Sequence, residues 1–366
     1  MQVKIGIIGT GGIAHMHAAA VASLEEAELV AVCDVVKDKA AAFAQEFGVV
    51  PSQVYTDSKT FFRDSGIQAA LVCTPHPSHC PLAIQAAEAG VHVMVEKPLS
   101  VDLREADRAI EAAQKAGIKF GVIFQRRFWP AAQRARKAID DGKLGRIILG
   151  DCIVKWWRPK EYYDRDAWRG TWAAEGGGVM VNQAVHAIDM FQWLMGPVDT
   201  IYGLWGNQSH PYIEVEDTAV AALRFKNGAF GVIETTVSTK PQLGSRICIH
   251  GENGASIGIL EHPEGVVGVN DLWEIPGEEE EAARILAEER AKGDFMFRTV
   301  TLPDGTRKGE HRVTCHALQI QDFAHAILED REPAVNAVEG RKAVEIIMAI
   351  YQSGRTGQPV KLPLAL

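Results

Sequence analysis

Cysteine is scarce and scattered. Six residues, at 33, 73, 80, 152, 248 and 315, contain no C-x-x-C pair. That pattern supports neither a disulfide framework nor a zinc site, and it predicts reduced thiols and no metal. No apolar run approaches the ~20 residues of a membrane helix. The first residues enter a strand pattern directly, without a leader-like charged and apolar block. Excess positive charge is also missing. The formal net charge is −9, which argues against nucleic acid or an anionic membrane as a partner. Internal repeats and low-complexity linkers are absent. The expected setting is the cytoplasm. What is present, 47% hydrophobic and 23% charged residues over 366 positions, is globular composition long enough for two sizeable domains.

The most informative stretch is the beginning, Val3 to Asp34. Val3 to Ile8 is a short β-branched strand, Gly9, Gly11 and Gly12 make a turn, Ile13 to Leu24 suits a helix, and Leu29 to Cys33 is a second strand ending at Asp34. A glycine turn lets backbone N–H groups approach a pyrophosphate, and the helix after it offers its positive N-terminus. An acid at the end of the second strand takes the ribose hydroxyls. The run Gly9-Thr10-Gly11-Gly12-Ile13-Ala14 follows a strand, opens a helix and has its acid 23 residues after Gly11, which is the context the motif requires. An NADP 2′-phosphate beside Asp34 would add about −1.5 to −2 charge. At ~5 Å and an effective dielectric near 20 the repulsion is about 3 kcal/mol per unit charge. The turn therefore predicts NAD over NADP, by roughly a hundredfold.

Strands alternating with capped helices continue through residue 124: helix Lys37 to Phe47 before Gly48, strand Ala69 to Cys73, helix Pro81 to Ala89, strand Val91 to Val95, a helix capped by Ser100, and strand Lys119 to Phe124. This is the pattern of a doubly wound parallel sheet. Ligands of such sheets sit beyond the carboxyl ends of the strands, which points to Thr74-Pro75, Glu96-Lys97 and Gln125-Arg126. Lys97 reads either as a proton-handling amine beside an oxidised nicotinamide or as an ion pair with Glu96.

From residue 125 the pattern changes. Residues 156–172 hold Trp156, Trp157, Tyr162, Tyr163, Trp168 and Trp172, interleaved with Arg158, Lys160, Arg165 and Arg169. Aromatic walls of this kind suit the C–H faces of sugars, and they equally suit a core beneath a loop. After Gly176-Gly177-Gly178, a helical reading places Asn182, His186, Asp189 and Trp193 on one stripe. The glycines would let a substrate approach the backbone. His186 suits a proton acceptor or a hydrogen-bonded structural role. Beyond Gly196-Pro197 the chain reads as β-rich, with Asn227-Gly228 a hairpin signal, an acidic helix over 278–292 and two final helices.

Four motifs carry a resemblance: G-T-G-G-I-A at 9–14, E-K-P at 96–98, F-Q-R-R-F at 124–128 and G-G-G-V-M-V-N-Q-A-V-H-A-I-D at 176–189. With the ending A-I-Y-Q-S-G-R-T-G-Q-P-V, the chain resembles the glucose–fructose oxidoreductase / inositol dehydrogenase (Gfo/Idh/MocA) family over nearly its whole length. The resemblance implies a Rossmann domain at 1–124. It implies an α/β domain at 125–366 with a large open, mainly antiparallel sheet, homodimers or homotetramers built through that sheet, and sugar or cyclitol substrates. It puts the catalytic lysine on Lys97 and the histidine on His186. Asn182 stands where the family often has aspartate, and an amide carries no charge and takes no proton. Arg126 replaces a common asparagine, leaves Arg127 as the family arginine and adds charge near the cleft mouth.

The resulting expectation is an NAD-dependent dehydrogenase that oxidises a ring hydroxyl of a sugar, sugar derivative or cyclitol. His186 is the base, Lys97 polarises or relays at the same oxygen, and Asn182 positions a neighbouring hydroxyl. The expected cofactor contacts are Gly9, Thr10, Gly11, Gly12, Ile13, Asp34, Thr74, Pro75, His79, Glu96, Lys97, Gln125, Arg127, Trp168 and Arg169. The expected substrate contacts are Lys97, Arg126, Lys155, Tyr163, Trp168, Asn182 and His186. The alternatives are a keto-sugar reductase, a redox-neutral NAD-using glycoside hydrolase and a non-catalytic dinucleotide or sugar sensor.

Overall fold

Strand β1 (Val3–Ile8) is buried at every position except Lys4, with Val3, Ile5 and Ile7 almost fully buried on one face and Gly6 and Ile8 buried on the other, as suits a central parallel strand. Around it lie β2 (Ala27–Cys33), β3 (Val54–Tyr55), β4 (Ala69–Val72), β5 (His92–Val95) and β6 (Phe120–Val122). In this computed structural model, which describes residues 2–262, 267–291, 298–301, 307–311 and 313–365, they form a parallel sheet in the order β3-β2-β1-β4-β5-β6. The order reverses between β1 and β4, and the carboxyl ends at that reversal are where a dinucleotide binds in such sheets. Left-handed Gly48 and Gly117 close the helices Lys37–Phe47 and Leu103–Ala116. The cap of the latter is Asp102, whose carboxylate accepts from Arg104 and Glu105 N–H. Ser100, expected there from sequence, instead accepts from the Asp102 N–H.

The chain divides into two units. The first comprises 1–125 and 295–341, and the second 126–294 and 342–366. A single boundary after residue 124 therefore misses a return of the chain to the first unit. Apolar burial explains the return: helix Thr314–Leu328 packs Ala317, Ile320, Phe323 and Ala324 into the same core as Val3, Ile5, Phe43 and Leu71. Buried Gln319 fastens it by accepting from Phe124 N–H at 3.1 Å and donating to Val122 C=O at 2.7 Å.

In the second unit β7 (Ile147–Lys155), β8 (Val198–Gly206), β9 (Thr218–Phe225), β10 (Phe230–Thr236), β11 (Gly244–Gly251), β12 (Ser256–Glu261) and β13 (Val267–Glu274) build one large sheet. After a two-stranded hairpin, β14 (Arg298–Thr301) with β15 (Arg307–His311), strand β16 (Val360–Lys361) completes it. The order is β13-β12-β11-β7-β10-β9-β8-β16, parallel between β7 and β10 and antiparallel elsewhere. Helix Val185–Met195 covers one face, where Gly150 and Gly231 leave space for Phe191 and Met195. The other face carries the exposed side chains Leu149, Tyr202, Leu204, Phe230 and Val232. Strict alternation in β9 and β10 produces this two-sidedness.

Candidate active site

The glycine turn fits a dinucleotide. Gly9 has φ +88°, and a Cβ there would meet Thr74 and the Cys73 backbone at 2.8–2.9 Å, so no other residue is accommodated. A Cβ on Gly11 or Gly12 would meet nothing within 4 Å. Helix Gly12–Ala22 begins here with no side-chain cap on its first N–H groups, which leaves Gly12 and Ile13 able to donate to a phosphate. Asp34 is held from both sides. Its Oδ2 accepts from Thr10 N–H and Oγ1 at 2.8 Å each, and its Oδ1 accepts from Val36 N–H at 2.9 Å. Burial opposes its ionisation, but the Thr10 and Val36 donors outweigh it and keep the carboxyl below its ordinary range. Oδ1, with a single donor, retains capacity for a hydroxyl donor. The side-chain Oε1 of Gln125, where β6 gives way to a short 3₁₀ turn, is buried without a hydrogen-bond partner. It offers an acceptor to a ligand N–H or O–H.

The next strand ends are tied together by His79. It is fully buried, and its Nδ1 and Nε2 lie 2.8 Å from the carbonyls of Pro98 and Thr74. The ring of this expected cofactor contact thus links the Thr74-Pro75 turn to the Lys97-Pro98 turn. Glu96 is buried as well. Its Oε1 lies 2.7 Å from His17 Nε2, and its Oε2 accepts from the Lys97 backbone N–H at 3.1 Å. The carboxylate is thus claimed by His17 and by backbone, and Lys97 stands half-buried at the strand end. Burial pushes the Glu96 carboxyl up, but the His17 hydrogen bond and the charges of His17, Lys97 and His316 bring it down to about 2.

Sequence reasoning did not single out His17 or His316. The signal for His17 was its helical spacing with buried Ala14, Ala18 and Val21. Among the described residues His17, Glu96 and His316 bring ligand-type atoms within 4.8 Å of one another. The 2.7 Å His17–Glu96 separation is a hydrogen bond's length. Two ligands of a tetrahedral ion at ~2 Å bonds would stand about 3.3 Å apart. His17 and Glu96 form a hydrogen-bonded pair, with the His316 ring edge-on to His17 at 5.3 Å.

A pH prediction follows for the first unit. The folded pKa of Glu96, about 2, lies below the ordinary 4.5. Its stabilising contribution is therefore complete above about pH 4.5 and lost as pH falls toward 2, about 3 kcal/mol in all. Denaturant titrations between pH 5 and 2 should show wild type shedding about that much more stability than Glu96→Gln. Parallel pH dependences would contradict the burial of this charge.

In the second unit the single helical stripe expected from sequence is broken. Helix Val179–Asn182 ends, Gln183 and Ala184 intervene, and Val185–Met195 begins. Both His186 and Asp189 are buried, so the polar side of the helix is interior as well. The triple glycine also has a different cause from the one expected. A Cβ on Gly178 would lie 1.8 Å from the Glu216 carbonyl oxygen, and one on Gly177 would lie 2.1 Å from the Tyr351 hydroxyl. Close protein packing fills that space, with no substrate required. Glu216 then holds the short helix, accepting from Gly178 N–H at 2.8 Å and Met180 N–H at 3.0 Å. Burial pushes its carboxyl up to about 7 despite those donors.

Arg127 faces Asp189 in a buried bidentate pair at 2.8 and 2.7 Å and stacks over Trp193. The expected cofactor contact Arg127 is thus engaged by an acid of its own unit. Arg126, expected to meet substrate, pairs with Glu261 at 2.6 Å. Lys155 pairs with Glu234 at 2.8 Å. By parity along β7 it lies on the sheet face opposite Gly150, away from helix Val185–Met195. That placement removes it from the side of the sheet that carries His186.

The aromatic window is organised around one phenol oxygen. Tyr162 Oη accepts from Gln183 Nε2 at 2.8 Å and Arg169 Nη1 at 2.5 Å, with Asn182 Nδ2 at 3.3 Å. Arg169 lies between the Tyr162 and Trp168 rings, 4.4 Å from each centroid, and also donates to Asp166. The expected cofactor contact Arg169 is thus committed within its own loop. Tyr163 packs edge-on against Tyr162, His210 and Tyr212, and burial with nearby Glu175 raises its pKa. Asn182 donates through Nδ2 to Glu175 Oε1 at 2.5 Å. Glu175 is a second buried acid that the sequence did not flag.

A doubly wound parallel sheet with a glycine turn and a strand-end acid, followed by a large mixed sheet, defines a dinucleotide-dependent oxidoreductase of two α/β units. Residues 3–124 match the oxidoreductase family model with an NAD-binding Rossmann fold, and residues 132–257 match the GFO/IDH/MocA C-terminal domain. The chain is 31% identical to the WlbA dehydrogenase of Bordetella pertussis, solved in complex with NADH and UDP-GlcNAcA. All of both chains is covered, with a TM-score of 0.84. It is 30% identical to a myo-inositol 2-dehydrogenase of Thermotoga maritima over 69% of this chain and 74% of that one. It is 27% identical to scyllo-inositol 2-dehydrogenase (NAD(+)) of Bacillus subtilis over 99% and 96%. The chain belongs to the GFO/IDH/MocA family of NAD-binding oxidoreductases. Among the described residues no helix is long and apolar enough to cross a membrane.

Proposed function

We propose that the protein oxidises a secondary ring hydroxyl of a sugar, nucleotide sugar or cyclitol. The observation that carries this reading is one chain that combines a dinucleotide turn with Lys97 at a strand end and with Asn182 and His186 behind the triple glycine. The relatives named for inositols and the NADH complex with UDP-GlcNAcA support the substrate class. Bound NAD supplies the acceptor for the hydride that leaves the carbinol carbon. His186 takes the hydroxyl proton, so the alcohol becomes a ketone as NAD becomes NADH. Lys97 donates to the reacting oxygen, and Asn182 holds a neighbouring hydroxyl. Mixing the protein with excess NAD and following NADH absorbance across inositols, hexoses, pentoses, anhydrosugars, glycosides and nucleotide sugars tests the reading. Silence throughout would overturn it in favour of reduction, a redox-neutral cycle or sensing.

NAD is expected to exceed NADP by roughly a hundredfold in kcat/KM. The cation acting on Asp34 is Lys39, and it tempers the discrimination without reversing it. Asp34→Ser should narrow the ratio at least tenfold, and comparable wild-type values for the two cofactors would overturn this. The exposed apolar face of the large sheet is the proposed dimer or tetramer contact. Phe230 at 56% and Leu204 at 53% exposure are unusual side chains to leave in water. Light scattering should give at least a dimer, and Phe230→Lys with Leu204→Lys should give a monomer. The buried free cysteines suit a reducing cytoplasm.

A further inference from the structure

We propose that Arg158 is an oxyanion site of the second unit, which binds a carboxylate or phosphoryl group carried by the sugar. The word sugar rests on the reading of Asn182 and His186 as the residues that hold the substrate ring. Arg158 lies three residues beyond β7, inside the aromatic window. Its guanidinium stands over the rings of Trp156 and Tyr162, 5.6 and 5.3 Å from their centroids. Nη1 donates to the Trp157 carbonyl at 3.1 Å. Nε is buried without an acceptor, and among the described residues the group pairs with no acid. Its neighbours in sequence differ. Lys155 is engaged by Glu234, Lys160 by Asp164 and Arg169 by Asp166, while Arg165 is exposed. A guanidinium does not shed its proton, so drawing one from water without a partner is costly. Aromatic faces offset part of the charge but leave the N–H groups in the plane of the fork unmatched. The missing element is a pair of anionic oxygens along the Nε–Nη2 edge, which a carboxylate or phosphoryl group supplies.

The backbone beneath this side chain is fixed on both sides. Arg158 N–H donates to the Val237 carbonyl at 3.0 Å, and the Arg158 carbonyl accepts from His210 Nε2 at 2.8 Å. His210 is held in turn by Asp217, whose Oδ2 lies 2.7 Å from Nδ1, and both side chains are almost fully buried. Pro159 adds a bias toward extended backbone at Arg158. An arginine that serves only to meet water needs no such seat. Tyr162 joins the seat to the reaction side, because the ring that Arg158 faces takes Gln183 Nε2 and Asn182 Nδ2 on its hydroxyl. One tyrosine ring therefore separates the guanidinium from Asn182, and both belong to one unit.

The test compares charged sugars with a neutral one on the NAD-loaded protein. D-glucuronate supplies a carboxylate, D-glucose 6-phosphate and UDP-glucose supply phosphoryl groups, and D-glucose supplies neither. Calorimetric titration should give at least one charged sugar a dissociation constant about 10- to 100-fold below that of D-glucose. An advantage confined to glucuronate assigns the site to a uronate, and one confined to the other two assigns it to a phosphoryl group. Arg158→Met keeps the stem against the rings and should bring the charged-to-neutral ratio to within about threefold of one. Arg158→Lys keeps the charge without the fork and should fall between. The melting temperature of sugar-free Arg158→Met should not fall, since an unpaired cation is removed, whereas a merely structural arginine would lower it. Charged and neutral sugars that bind wild type alike would overturn the inference, and so would an advantage that survives in Arg158→Met. A charged sugar that binds through Arg158 while no sugar yields NADH keeps the oxyanion site and defeats the dehydrogenase reading.

Discussion

Replacing His186 by alanine lowers turnover by about 100- to 10,000-fold while leaving cofactor binding intact. That range is what a positioned general base contributes. His186 is the second residue of helix Val185–Met195 and is 9% exposed, so its ring direction is set by the helix start and by packing. An imidazole in its neutral form can accept a hydroxyl proton. Two readouts separate the base from a bystander. Wild-type kcat/KM should rise with pH along a single-proton limb that His186→Ala lacks. NADH fluorescence titration should give the same dissociation constant in both proteins, because the glycine turn and Asp34 belong to the other unit. Turnover within a few-fold of wild type would remove His186 from the chemistry.

The parts legible in the sequence were those whose physics is local. The glycine turn, the acid at the end of β2 and the left-handed glycines closing helices follow from backbone sterics and short-range hydrogen bonding. Strands β9 and β10 followed from alternation. Relations between distant residues were not legible. Nothing near Glu96 says that His17, 79 positions earlier, takes its carboxylate. Nothing near Arg127 says that Asp189, 62 positions on, neutralises it. The charged residues Arg126, Lys155 and Arg169 looked available to ligands because their partners Glu261, Glu234 and Asp166 become neighbours only on folding or lie in the same irregular loop. The triple glycine was readable as a demand for space, but not as space for Glu216 and Tyr351. The return of helix Thr314–Leu328 to the first core was hidden for a similar reason. An amphipathic helix states that it has a buried face without stating which sheet it covers.

Asp189→Ala should cost about 3–5 kcal/mol, the largest stability loss expected of any single change in the second unit. The Arg127 and Asp189 side chains are 3% and 1% exposed and make two parallel hydrogen bonds. Removing the acid takes two charge-assisted hydrogen bonds from a buried guanidinium that cannot shed its proton. Stacking over Trp193 opposes an outward turn of that guanidinium. For a unit of this size each kcal/mol moves the melting temperature by about 2–4 °C, so a fall of roughly 6–20 °C is expected. Removing both charges at once is a different experiment. Arg127→Met with Asp189→Leu exchanges the pair for apolar contact of similar volume and should lie within about 1 kcal/mol of wild type, because the pair's desolvation offsets most of its attraction. Differential scanning calorimetry of the single and double variants checks both statements. Asp189 lies one helical turn from His186, so the single variant should also lose turnover, whereas the double variant should retain it if the pair serves only to seat the helix. A single variant as stable as wild type would mean that Arg127 finds water in the folded protein.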